Sequence, residues 1–230
     1  MKKYLLSWSG GKDSALALYQ CLRRSDIEVT GLFTTVNEAT NRISMHGVSV
    51  ELLKKQAESI GLPLHILSLP EPCTMDNYEK IMGDFMVAMK KNGVEGVVFG
   101  DIFLEDIRNY RVKQLAKIDL QPLFPLWGET SKNVANDFIA SGFYSIITCV
   151  DGELMNESYV GQVFSKSFID KLPDKVDPCG ENGEFHSFVF DGPIFRYPLF
   201  LQVEKKVKIE YPNPRGEKQR PFWFAEIVSK

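Results

Sequence analysis

Six consecutive residues, Ser9-Gly10-Gly11-Lys12-Asp13-Ser14, put two glycines, two hydroxyls that flank them, an ammonium and a carboxylate into one turn. The turn joins an apolar run, Tyr4 to Trp8, to a helical run, Ala15 to Arg24. Strand, glycine turn and helix make an anion-binding arrangement: the glycines open backbone conformations closed to other residues, N–H groups converge, and the helix start adds its positive end. Phosphate is the natural guest. A helix end contributes only about 0.3–1 kcal/mol toward a nearby charge at an exposed site. Lys12 and the hydroxyls of Ser9 and Ser14 must therefore contribute, at about 1.5–3 kcal/mol for each charge-assisted hydrogen bond. The Walker A spacing is excluded, because it needs four free positions before Gly-Lys-Ser/Thr, whereas Gly10-Gly11 runs straight into Lys12-Asp13-Ser14.

A second stretch, Gly100-Asp101-Ile102-Phe103-Leu104-Glu105-Asp106-Ile107-Arg108, brings three carboxylates and a guanidinium together. Acidic groups beside a polyphosphate make sense if they hold magnesium or orient an incoming amine, and Asp101 is the first choice for that role. Leu104, Ile107, Val112 and Leu115 form an apolar helical face, with Glu105 and Arg108 on another; Asp106 is read as solvated helix surface. A third stretch, Asp177-Pro178-Cys179-Gly180-Glu181-Asn182-Gly183-Glu184-Phe185-His186-Ser187, is too rich in glycine and polar groups to be core. Its carboxylates, imidazole and thiol could orient a nucleophile or receive a proton. By spacing alone, a tight loop with capping carboxylates fits equally well.

The elements that must position these groups follow from periodicity. Val29 to Thr35 and Leu64 to Leu69 read as strands, and so does Gly96 to Gly100; helices are expected from Val50 to Ile60 and from about Asp76 to Lys91. Strands alternating with helices predict an α/β fold with a doubly wound parallel sheet. Ligands of such sheets bind beyond the carboxyl ends of the strands, which makes Thr34, Thr35, Met45 and His46 candidates to meet a nucleoside; each equally suits a plain strand end or loop. Leu120 to Gly128, with Pro122 and Pro125, breaks the pattern and is expected to close a first domain, 1–128. A smaller α+β domain, 129–230, then holds a helix around Val134, Phe138 and Ile139 and a strand from Tyr144 to Val150. It also holds two short strands, 188–190 and 193–195, flanking an Asp191-Gly192 turn, and a final hairpin of Val203 to Tyr211 with Phe222 to Val228. Lys205, Lys206, Lys208, Arg215, Lys218 and Arg220 make that hairpin basic, and a solvated surface is the favoured reading over a docking face.

The 230 residues suffice for a sound core, and a formal net charge of -3 argues against a protein whose main task is gripping nucleic acid. No run approaches the roughly 20 apolar residues of a spanning helix, and the short apolar start is no signal peptide. A cytoplasmic protein without membrane contact is expected. Four widely spaced cysteines, with no Cys-x-x-Cys pair, suggest neither a zinc site nor a disulfide framework.

The Ser9 to Ser14 segment resembles the signature of the PP-loop, or N-type, ATP pyrophosphatases. Together with Gly100-Asp101, Gly180-Glu181-Asn182-Gly183-Glu184-Phe185-His186 and Asp191-Gly192-Pro193, it resembles the diphthine-ammonia ligase family over nearly the whole chain up to Phe195. The resemblance implies a Rossmann-like PP-loop (HUP) domain, ATP and magnesium as cofactors, and amidation with cleavage of ATP to AMP and pyrophosphate. A carboxylate acceptor, free or on a protein, would be adenylated and ammonia would displace AMP. It also implies nucleotide contacts from Ser9, Gly10, Gly11, Lys12, Asp13, Ser14 and Gly100. Chemistry would fall to Lys12 and Asp101, the latter also the metal ligand, with Glu181, Glu184 and His186 positioning the acceptor. The wording of Met45-His46-Gly47 and of the Gly100 stretch resembles bacterial members, for which diphthine is not the expected acceptor. Two alternatives are a tRNA-modifying PP-loop enzyme, which would want a cysteine pair and a basic domain, and a universal-stress-type nucleotide sensor, which would want a different glycine loop. Acceptor, amine donor and oligomeric state, homodimer included, stay open at this stage.

Overall fold

The computed structural model describes residues 1–43, 47–211 and 219–230. Its first strand, β1 (Lys2–Ser7), carries Leu5 and Leu6 side by side, and both are buried. Successive strand residues point to opposite faces, so this sheet must be covered on both sides. Leu6, with Leu32 of β2 (Ile27–Asn37) and Val98 of β4 (Gly96–Val98), joins the core that holds Leu16 and Leu18 of α1 (Lys12–Leu22) and Leu53 of α2 (Val50–Ile60). Leu5, Phe33 and Val97 join the opposite core, with Met86 of α3 (Met75–Lys91) and Leu115 of α4 (Glu105–Ala116). The expected doubly wound parallel sheet is what the chain forms: with β3 (Leu64–Leu69) and β5 (Gln121–Leu123) its strand order is β3-β2-β1-β4-β5.

The fifth strand lies inside the proline-broken stretch that was expected only to close a domain. β5 pairs in parallel with β4 through Gln121, Pro122 and Leu123. It is an edge strand, where the missing N–H of Pro122 costs no ladder bond on the open side.

The second half forms an antiparallel sheet in the order β7-β6-β9-β8, from β6 (Tyr144–Asp151), β7 (Phe185–Asp191), β8 (Leu201–Tyr211) and β9 (Arg220–Ser229). Helix α5 (Ser131–Ala140) precedes it and packs on α1. The short hairpin expected at Asp191-Gly192 does not form: β7 pairs with β6, from Tyr144 opposite Asp191 to Val150 opposite Phe185, and residues 193–195 are not a strand. Pro193 has no amide to donate. The turn instead closes on itself, with the Phe195 N–H donating to the Gly192 carbonyl at 3.0 Å. The final hairpin, β8 with β9, is as expected. Its basic residues are largely paired, Lys205 with Glu226 at 3.4 Å, Lys208 with Glu210 at 3.0 Å, and Arg220 with the buried Asp151. Arg215 and Lys218 lie outside the described residues.

Candidate active site

Sheet order reverses at β1, whose neighbours are β2 on one side and β4 on the other. A crevice is expected beyond the carboxyl ends of the two strands at such a point. A cleft of about 300 Å³ opens there, lined by Ser9, Lys12, Asp13 and Ser14 of the glycine loop and by its Gly11 but not its Gly10, by Phe99, Gly100 and Asp101 after β4, and by Cys179, Gly180, Glu181 and His186. The three stretches singled out by residue type therefore meet in one place. Helices α2, α3 and α5 each begin with a Ser or Thr side chain that accepts a first-turn N–H. The two helices that begin at the cleft, α1 after Gly11 and α4 after Leu104, have no such capping side chain. No capping side chain of their own therefore competes with an anion at these two helix starts.

The glycine loop is held from behind. Gly10 takes a left-handed φ of 76°, and a Cβ there would sit 2.8 Å from Gln56 Oε1. Gln56, fully buried on α2, accepts the Trp8 Nε1–H at 2.9 Å and donates to the carbonyls of Gly10 at 3.0 Å and Val189 at 2.6 Å. The Val189 N–H also donates to the Gly10 carbonyl, at 2.9 Å, and the Lys12 N–H to Ser187 Oγ, at 3.2 Å. Strand β7 is thereby fastened to the loop, which brings the third stretch to the first. Within the loop, Ser9 and Ser14 hydroxyls lie 3.2 Å apart, and Ser14 Oγ donates to the Gly11 carbonyl at 2.9 Å. Gly100 permits a close approach from the other side: a Cβ there would lie 2.9 Å from the carbonyl carbon of Asp13.

Lys12 is buried. Its ammonium donates to Asp13 Oδ2 at 2.8 Å and to the Cys179 carbonyl, and it lies over the rings of Phe185 at 5.4 Å and Phe164 at 5.9 Å. Burial works to lower its pKa, but the Asp13 carboxylate and the other negative groups prevail, so the ammonium is held above its ordinary value. Phe164 and Phe168, which form this aromatic wall with Phe185, come from the segment around α6 (Lys166–Ile169), to which sequence periodicity assigned no element.

The two glutamates of the third stretch have different surroundings. Asp177 Oδ1 accepts the N–H groups of Cys179 and Glu181, at 2.8 and 3.2 Å, and so winds the loop. Glu181 is half-buried in the cleft, where it accepts the Ile102 N–H at 3.2 Å. Burial, then the nearby Asp13 carboxylate, pushes its carboxyl up to about 7. Glu184 is buried and does not line the cleft. Its carboxylate accepts the Asp177 N–H at 3.0 Å, the Asn182 N–H at 2.9 Å and the Asn182 side-chain amide at 3.0 Å. Such a carboxylate braces the loop, so that any part Glu184 has in positioning an acceptor passes through the loop that carries Glu181.

Asp101 is paired by Arg111, Nε to Oδ2 at 2.8 Å and Nη2 to Oδ1 at 3.2 Å, and that guanidinium lies 4.2 Å from the centre of the Phe99 ring. Burial raises the Asp101 pKa against the opposing pull of Arg111. Arg111 escaped the sequence reading, as did Gln56; a basic residue 10 positions after Asp101 on the following helix was the available signal. Burial also pushes the Cys179 thiol up, so it is no ready nucleophile. Thr34 and Thr35 pair with β3 three and two residues before the end of β2 and do not line the cleft. Met45 and His46 lie outside the described residues.

Residues 1–118 match the family model described as diphthamide synthase N-terminal domain, and residues 130–218 the one described as diphthamide synthase C-terminal domain. The chain belongs to the diphthamide synthase family. Curated relatives named diphthine--ammonia ligase are 27% identical in Danio rerio, over 220 residues covering 86% of each chain, and 26% identical in Mus musculus. The human relative of that name is 25% identical over 223 residues, covering 86% of this chain and 82% of its own. This diphthamide synthase family member is an ATP-dependent ligase, and neither the tRNA-modifying nor the sensor alternative is favoured. Among the described residues no helix is long and apolar enough to cross a membrane, and no group of three His, Cys, Asp or Glu side chains is arranged to hold a metal.

Proposed function

We propose that the cleft binds ATP with its phosphates on the glycine loop, and that the enzyme amidates a carboxylate by way of an acyl-adenylate. A carboxylate oxygen of the acceptor attacks the α phosphorus, and the bond to the β-phosphate bridging oxygen breaks, so that pyrophosphate leaves. Ammonia then attacks the acyl carbon, the bond to the AMP oxygen breaks, and a proton passes from nitrogen to the protein. The observation that carries this reading is the meeting of α1's first turn, Lys12 and Glu181 in one cleft where the sheet order reverses.

The residues take distinct parts. The loop amides and Lys12 oppose the phosphate charge. Glu181, with a carboxyl near 7, is suited to take up and release a proton at neutral pH. Glu184 and Asp177 position Glu181 through the loop, and His186, which lines the cleft, is assigned to the acceptor. Magnesium is part of the proposal, since it commonly uses one or two carboxylates plus substrate phosphates; when bound it would neutralise phosphate charge. Asp13, whose Oδ1 is buried without a hydrogen-bond partner among the described residues while Lys12 holds its Oδ2, and Asp101, held by Arg111, both line the cleft and are the residues that would hold it. Diphthine and ammonia, the substrates in the relatives' name, are the model for acceptor and donor. Division at residue 128 into ATP-binding and acceptor-binding parts belongs to the same reading, supported by the placement of β1 to β5 before it and β6 to β9 after it. So does a cytoplasmic site of action, supported by four free cysteines.

Nucleotide product analysis tests it: protein, ATP, magnesium and ammonium with a small-molecule extract, against Lys12→Ala. AMP and pyrophosphate are expected from the unaltered protein only. ADP as the product would overturn α–β cleavage.

A further inference from the structure

Three serine hydroxyls bond to the glycine loop, and they differ in where their protons go. Ser14 Oγ gives its proton to the Gly11 carbonyl at 2.9 Å. In the 3.2 Å contact between Ser9 and Ser14 the donor is therefore Ser9, whose oxygen also accepts the Gly11 N–H at 3.3 Å. Both of these protons are engaged inside the loop. The third hydroxyl comes from the other half of the chain: Ser187 of β7, 3% exposed, accepts the Lys12 N–H at 3.2 Å. A serine hydroxyl carries one proton and two lone pairs, and no hydrogen bond among the described residues takes the proton of Ser187.

Its surroundings give that proton a direction. Ser187 lines the phosphate cleft. A Cβ on Gly11 would lie 3.1 Å from the Ser187 carbonyl oxygen and 3.6 Å from its hydroxyl, so β7 comes close to the loop here because position 11 is glycine. An oxygen that accepts an N–H is a better donor through its own proton. Ser187 thereby passes on the pull of the first amide of α1, while the N–H groups of Asp13 and Ser14 beside it have no acceptor among the described residues. By contrast, no hydrogen bond among the described residues fixes the hydroxyl of Ser7, the remaining serine of the lining.

We infer that Ser187 is a phosphate-binding residue whose O–H donates to the pyrophosphate portion of ATP, an assignment that rests on the nucleotide reading above and deepens it. The pyrophosphate portion is favoured over the α phosphate because it gains negative charge as the α–β bond breaks. The start of α1 is where unspent N–H donors and the Ser187 proton converge on such charge. The phosphate site is then closed by a strand of the second half, the same strand that Val189 ties to Gly10.

Calorimetry on the full chain, with pyrophosphate and AMP as separate probes in one magnesium buffer, tests this on Ser187→Ala and Ser187→Thr. A hydrogen bond to a charged group corresponds to about tenfold or more in affinity. Ser187→Ala is expected to bind pyrophosphate at least about tenfold more weakly and AMP as the unaltered protein does; Ser187→Thr, which restores a hydroxyl, should recover the pyrophosphate affinity. A residue that only caps α1 would lower the melting temperature of Ser187→Ala and leave pyrophosphate binding in place, or would weaken both probes alike by disturbing the loop. Either result overturns the assignment, as does a loss confined to AMP or a pyrophosphate loss that threonine fails to recover. Binding of neither probe by the unaltered protein overturns the ATP reading and Ser187 with it, whereas equal pyrophosphate binding by all three proteins removes Ser187 alone.

Discussion

Replacing Glu181 by Gln should make the protein more stable at alkaline pH while slowing its chemistry. The Glu181 carboxyl sits at about 7 in the folded chain against an ordinary 4.5, with burial the main cause and the Asp13 carboxylate the next. A raised carboxyl means that the folded state holds a proton which the unfolded state has lost. The stability associated with that proton is complete below about 4.5, declines as pH rises to about 7, and is gone above it. The full shift would correspond to about 3.4 kcal/mol at about 1.36 kcal/mol per unit, and partial solvent access at Glu181 reduces this to about 2 kcal/mol. Glutamine keeps the shape and cannot ionise. Urea unfolding of both proteins at intervals from pH 4 to pH 8.5 should show a stability difference that grows by about 2 kcal/mol in favour of the variant between pH 4.5 and 7. Turnover of the variant should fall by about 10²-fold or more and lose the limb of the pH profile near neutrality. A stability difference independent of pH, or a pH profile unchanged in the variant, would refute the placement of a buried, proton-exchanging carboxyl in the cleft.

Two further substitutions examine the supports. Glu184→Gln should destabilise by about 1–3 kcal/mol, because an amide nitrogen would face N–H donors that the carboxylate now satisfies. Thermal unfolding should register it, and the kinetic loss should follow loop order, with full recovery in Glu184→Asp excluded by the shorter reach; a normal melting temperature with abolished turnover would show that Glu184 acts on the acceptor and not through the loop. Gln56→Leu leaves the buried Trp8 Nε1–H without its acceptor, a cost of about 1–3 kcal/mol, or roughly 2–4 °C in melting temperature per kcal/mol at this chain length. ATP affinity should fall with it, since the Gly10 carbonyl also loses a donor; unchanged affinity would show that the loop holds its shape without α2.

Much of the first half was legible because the signals there are local. The run of Leu5 and Leu6, the glycine turn and the periodicity of α1, α2 and α3 each lie within a few residues, and backbone sterics act at that range. The resemblance of Ser9 to Ser14 and of the Gly180 to His186 segment to known ligases carried the rest of the functional reading. β5 was harder, because three residues with a central proline look like a break unless the edge of a sheet lies beside them.

By itself, the sequence determined that a strand, a glycine turn and a helix would make an anion site, that a parallel sheet would hold it, and that carboxylates would gather near it. Tertiary structure alone decided which carboxylate does what. Glu181 and Glu184 stand three residues apart in one loop, yet the Asp177 turn exposes the first to the cleft and saturates the second with amides. Asp101 is paired because α4 returns Arg111 across it, and the glycine loop is tied to β7 because Gln56 arrives from α2. These are contacts between segments distant in the chain, whose energies depend on distance and burial, and neither quantity is written in residue order.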